Sequence, residues 1–130
     1  MNKALLPIGS LLLVLGLLTT GAFAGPLDVD PDGEYLIAVS PQALILGAKT
    51  VEWVTVHTNI RYGEAVNSSL TLNDVPVIYT KADNRGFLVA KFDRIEIEQT
   101  VEIPETVMEF SGVTVDGVEF SAFDTIRVAE

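Results

Sequence analysis

The chain has 130 residues, the length of one domain. It contains no cysteine, which excludes disulfide frameworks, thiolate zinc sites, thiol nucleophiles and a lipid-modified cysteine anchor. Of its eight Lys and Arg only Lys3 precedes residue 25, and all eighteen Asp and Glu follow it. Beyond that point seven cations face eighteen acids, a net charge of −11. Such a field repels phosphate backbones and anionic headgroups, which argues against nucleic acid as a partner.

Residues 1–24 read as a cleavable signal peptide. Lys3 supplies a positive n-region, Leu11–Leu18 with its flanks a short apolar stretch, and Ala22-Phe23-Ala24 the small residues of a cleavage site. Pro7, Gly9 and Ser10 interrupt the apolar run and leave it shorter than the roughly 20 residues a spanning helix needs. The expectation is therefore a secreted, periplasmic or cell-surface protein with no membrane attachment after cleavage.

Residues 25–34 (GPLDVDPDGE) form an acidic, flexible leader. Asp28, Asp30 and Asp32 followed by Gly33 match the opening half of a calcium loop, in which alternate carboxylates curl around a hard cation. The bidentate acid expected at the twelfth position is Val39, and Pro31 stiffens the loop. An acidic terminal segment that binds nothing explains the same residues, and calcium remains the one cofactor the sequence suggests.

From Tyr35 the pattern is β, and residues 35–130 read as one domain. Tyr35–Ser40 stops at Pro41, and Ala43–Leu46 resumes until Gly47, as a first strand does when it switches sheets. Thr50–Ile60 is the longest candidate strand, with Val54, Val56 and Ile60 facing inward and Trp53, Thr55 and His57 outward. Arg61–Ser69 is a loop by its Gly, Asn and Ser content. Leu70–Phe92 then reads as a three-strand meander. Asn73-Asp74 makes a tight hairpin turn in it, Val75–Thr80 is a middle strand marked as an edge by Pro76, and Gly86 closes the turn into Phe87–Phe92. Leu88, Ala90 and Phe92 point inward.

The run Leu72-Asn73-Asp74-Val75-Pro76-Val77, followed by Thr80, Asp83, Asn84, Gly86, Ala90 and Phe92, resembles a signature of secreted bacterial modules. These are the immunoglobulin-like and prealbumin-like β-sandwiches, including the bacterial Ig-like and carboxypeptidase-regulatory-like groups. Asp74 stands where those families prefer glycine. The resemblance implies a sandwich used for adhesion, spacing or protein contact, and it implies no catalytic residues.

Asp93–Ile103 alternates, with Ile95 and Ile97 on one face and Arg94, Glu96 and Glu98 on the other, and reads as a further strand ended by Pro104. Thr106–Ser111 follows with Met108 and Phe110 as core residues. Asp116-Gly117 signals a two-residue hairpin between Val113–Val115 and Val118–Phe120, and Phe123–Val128 is the last strand, with Ile126 and Val128 inward. Eight or nine short strands at this spacing predict an all-β, antiparallel β-sandwich, which the resemblance above implies is immunoglobulin-like.

Candidate chemistry is sparse. His57 is the only histidine, and Ser68 and Ser69 lie in a loop without a nucleophile elbow, so the expectation is a protein that is not an enzyme. Asp93, Glu96, Glu98 and Glu102 would lie on a solvated strand face without the cleft that paired acids need. Trp53, Thr55 and His57, extended by Tyr62, form the candidate ligand-binding stripe. Trp53 either stacks on a sugar or anchors a protein partner there, or it merely covers the rim of the core. The sequence thus points to a non-catalytic module for adhesion, envelope assembly or protein–protein interaction. A calcium- or carbohydrate-binding module is the alternative.

Overall fold

A computed structural model describes residues 34–49 and 52–130. The signal-peptide reading and the Asp28, Asp30 and Asp32 leader lie outside the described residues. The described chain is all-β, with two sheets packed face to face. β1 (Ile37–Ser40), β3 (Trp53–Arg61), β7 (Phe87–Asp93) and β6 (Tyr79–Ala82) form a four-stranded sheet in the order β1-β3-β7-β6. β2 (Ala43–Ile45), β9 (Glu119–Ala129), β8 (Glu105–Val113), β4 (Thr71–Leu72) and β5 (Val75–Pro76) form a five-stranded sheet in the order β2-β9-β8-β4-β5.

The break at Pro41 does switch sheets. β1 pairs antiparallel with β3, whereas β2 crosses to the other sheet and runs parallel to β9. That parallel pair departs from the purely antiparallel sandwich expected. Asp124 on β9 holds the crossover: its Oδ2 accepts the Val39 N–H and the Gln42 side-chain N–H, each at 2.8 Å.

Alternation along β3 buries Val54, Val56 and Ile60 as expected, facing Leu72, Met108, Phe110 and Ile126 of the other sheet within one core. The rings of Phe92 and Phe110, one from each sheet, meet edge-on with centroids 6.3 Å apart. Full burial of each such side chain contributes about 1.5–3 kcal/mol. The register slips between His57 and Arg61. Thr58, buried there, satisfies its hydroxyl by donating to the Leu88 carbonyl at 2.7 Å and accepting the Ile60 N–H at 3.1 Å.

The expected meander is divided between the sheets. Asn73 (φ 50°) and Asp74 (φ 70°) take the left-handed conformation of a tight hairpin and join β4 to β5. Pro76 then ends β5 after two residues. The chain leaves for the other sheet and restarts as β6, so Val75–Thr80 is two strands, each at the edge of its own sheet. The Val77 N–H still donates to the Leu70 carbonyl at 3.0 Å, the last bond on the β4 side before the crossing, and Pro76 offers no N–H to a further strand on that open edge.

Two further expectations fail locally. Asp93–Ile103 is not a strand: Asp93 accepts the Glu96 N–H at 3.1 Å and caps the short helix α1 (Arg94–Glu98). Arg94 and Glu98 pair across one turn, Ile97 is buried, and Ile95 stays exposed. A helical turn brings Arg94 and Glu98 together, as strand alternation does not. The Asp116-Gly117 signal marks a three-residue loop rather than a two-residue one. Thr114 and Val118 still pair, Gly117 donates to the Thr114 carbonyl, and only Gly117 of the loop has positive φ. The flanking segments merge into the long strands β8 and β9, paired from Glu105↔Arg127 to Val113↔Glu119.

Candidate functional site

The outer face of the four-stranded sheet carries the candidate stripe. Strand register places it in rows running across the strands. Ser40, Thr55, Lys91 and Tyr79 form one row, and Ala38, His57, Val89 and Lys81 the next, about 7 Å further along. Trp53 pairs with Asp93 at one end, and Arg61 with Phe87 at the other. Trp53 and Thr55 line one shallow hollow of about 270 Å³ with Ser40, Pro41 and Glu52. Trp53 is 37 % exposed, and Tyr79 at the sheet edge is 54 % exposed.

Trp53, Thr55 and His57 therefore share one face. Tyr62 does not join them. It lies beyond the register slip in a single 3₁₀ turn (Tyr62–Glu64), where its hydroxyl accepts from the Asn67 side chain at 3.1 Å. Eight residues of strand lie between it and Trp53, about 25–30 Å.

Cations gather around this stripe. Arg61, Lys81, Arg85 and Lys91 are four of the seven Lys and Arg that follow residue 25. Both guanidinium carbons, of Arg61 and Arg85, sit 5.1 Å from the centroid of the Phe87 ring, and Arg61 donates to the Arg85 carbonyl at 3.2 Å. Phe87 and Val89 have outward parity, yet both are buried, Phe87 beneath the two guanidinium groups. Asp83 holds the β6–β7 turn by accepting the Arg85 and Phe87 N–H groups at 2.8 and 3.0 Å. Burial pushes its carboxyl pKa up, but these backbone donors and the nearby Arg85 charge outweigh that and hold it below the usual value. Burial holds the His57 imidazole pKa below its ordinary value. The Asp83 charge opposes that shift, and Lys81 and Lys91 reinforce it. Neutral His57 thus offers one donor and one acceptor at pH 7.

Tyr79, Lys81 and Lys91 were missed by sequence reasoning. Tyr79 lay in a segment read as continuing β5, Lys81 in the connection Lys81–Gly86 that follows it, and Lys91 was only the gap between Ala90 and Phe92. The rest of the chemistry inventory is dispersed. Ser69 donates to the Val66 carbonyl at 2.6 Å and accepts the Val113 N–H at 2.9 Å, and it borders a hollow beside β8 and β9, on the other sheet from His57. Of the expected carboxylate run, Asp93 caps α1, while Glu98 pairs with Arg94 and accepts from the Gly47 N–H. Among the described residues, no group of three or more His, Cys, Asp or Glu is arranged to hold a metal ion. No helix among them is long and apolar enough to cross a membrane.

Comparison with known proteins adds no relative: no protein-family model matches the chain, and no curated protein or solved structure does.

Proposed function

We propose that this chain is an exported, non-catalytic immunoglobulin-like module that binds a protein partner, in adhesion or envelope assembly, through the outer face of its four-stranded sheet. One observation carries the reading. Exposed Trp53 and Tyr79 flank a face where Arg61, Lys81, Arg85 and Lys91 collect, on a chain whose remaining surface is dominated by acids. Aromatic side chains with cations beside them anchor interfaces, because they bury large areas at small entropic cost and select partners by charge. A photo-crosslinker at Tyr79, compared with one at exposed Phe123 on the five-stranded sheet, tests it in cells that export the chain. Adducts to protein from position 79 alone are expected. Equal or absent labelling at both positions would remove the reading.

The hollow beside Trp53 supports a second reading, a carbohydrate-binding module. Its polar rim of Ser40, Glu52 and Thr55 around an indole suits a sugar ring. Equal retention of the wild type and Trp53→Ala in gels containing polysaccharide would dismiss it.

A further inference from the structure

The edge strand β6 has a defined chemistry. The Asp83 N–H donates to the Phe87 carbonyl, so the alternation of an antiparallel ladder turns the backbone of Lys81 and Tyr79 toward β7. The N–H and C=O groups of Thr80 and Ala82 are directed to the open side of the sheet. On the outer face the same edge presents Tyr79 and Lys81, with Lys91 diagonal to Lys81 at roughly 7–8 Å. An added strand would thus find backbone partners at every second residue, and cations beside the residues between them. Lysine on an edge rejects apolar and basic strands and leaves acidic ones favoured.

The chain itself contains a sequence of the matching period. Asp28, Asp30, Asp32 and Glu34 alternate with Val29, Pro31 and Gly33, so in extended form all four acids share one side, about 7 Å apart. The described chain begins at Glu34, whose carbonyl accepts from the Asn59 side chain at 3.0 Å. Next to it, Tyr35, Glu64 and Asp116 line a hollow of about 360 Å³ with Thr114, Val115 and Val118. Tyr35, the residue after Glu34, thus shares a hollow with two acids and directly precedes the chain into β1, the edge opposite β6. Like charges there disfavour folding back, and the complementary edge lies across β3 and β7.

We infer that the acidic segment 28–34 of one copy adds as a strand to β6 of a second copy, its carboxylates beside Lys81 and Lys91. This deepens the protein-binding reading and rests on it. The contact is head-to-tail, with a different surface on each copy, so successive copies can join into a chain or a closed ring. Its strength falls with salt, because exposed charges supply the selectivity.

Sedimentation of the full chain, exported by its own leader, tests the inference. At low ionic strength the average mass should rise with concentration, and at high ionic strength it should fall to the monomer. Lys81→Asp with Lys91→Asp should weaken association on the order of tenfold or more, as should Asp28→Lys with Asp30→Lys and Asp32→Lys. Mixing these two charge-reversed proteins should restore it. Thr80→Pro, which removes an edge donor without touching a charge, should weaken it as well. Should the Lys81/Lys91 variant fail to melt cooperatively, Lys81→Ala alone carries the same expectation of weaker association. A monomer at all concentrations in low salt, or association that survives both charge reversals, overturns the inference. If the crosslink at Tyr79 to another protein persists in that case, the proposed function stands without it.

Discussion

Asn73 and Glu109 exchange two hydrogen bonds as though both were strand residues. The Asn73 N–H donates to the Glu109 carbonyl at 2.9 Å, and the Asn73 Oδ1 accepts the Glu109 N–H at 2.9 Å. The side-chain oxygen replaces a carbonyl that the left-handed turn has rotated away. The Asn73 Nδ2 also donates to the Thr100 hydroxyl at 3.1 Å, which ties the turn to the chain just beyond α1.

Asn73→Gly keeps the backbone free to take φ 50° but leaves the Glu109 N–H without its acceptor. A loss of about 1 kcal/mol is expected. Asn73→Ala adds the left-handed penalty and should cost about 2–3 kcal/mol. Urea unfolding of the three proteins checks both the size and the order, and equal losses would mean that the backbone conformation contributes nothing here.

Gly112 on β8 is required by packing, not by its backbone angles. A Cβ there would stand 2.7 Å from a Leu70 methyl and 2.9 Å from the Phe120 ring, and Leu70 is fully buried. Gly112→Ala should therefore destabilise by about 1–3 kcal/mol, as overpacked cores do. Adding Leu70→Val should recover part of that loss relative to the sum of the two single changes, and strict additivity in thermal melts would show that the two sites do not touch.

His57 sets a pH dependence whose direction is determined by partial desolvation of a ring that stays exposed on the outer face. Its folded pKa lies below the ordinary 6.5, so the unfolded chain binds the proton more readily. The stability conferred by the neutral ring is complete above pH 6.5 and is lost as pH falls from there through the folded pKa. Urea midpoints should drop between pH 7.5 and 5.5 in the wild type and drop less in His57→Gln. Asp83 acts in a separate window. Its depressed carboxyl pKa contributes stability above 3.8 that disappears only as pH falls below it. An identical slope in wild type and His57→Gln would remove His57 as the cause.

Much of the fold was legible wherever local chemistry decides. Alternation placed Val54, Val56 and Ile60 inside. Asn73-Asp74 and Gly86 marked left-handed turns by the residue types that tolerate them, and Pro41 marked a sheet switch. Asp93–Ile103 misled because its alternating isoleucines satisfy strand periodicity. The Asp93 cap and the Arg94–Glu98 pair satisfy helical spacing over the same residues, and packing of Ile97 fits the helix. The candidate site was legible only in part. Trp53, Thr55 and His57 share a strand, so period two alone puts them on one face. Tyr62 follows in sequence, but the register slip and the 3₁₀ turn carry it away.

What the sequence determined by itself is the all-β class, the turns, the acidity and the alternating carboxylates of residues 28–34, because each depends on residue type and near-neighbour spacing. What only the tertiary structure decided is which strands meet. Pro76 marks an edge, but the register of β6 on β7 and of β7 on β3 is what sets Tyr79, Lys91 and Thr55 in one row. Their separation in the chain carries no local signal. Pairing is selected by burying the inward faces of both sheets together, and the cationic outer face is the consequence of that burial.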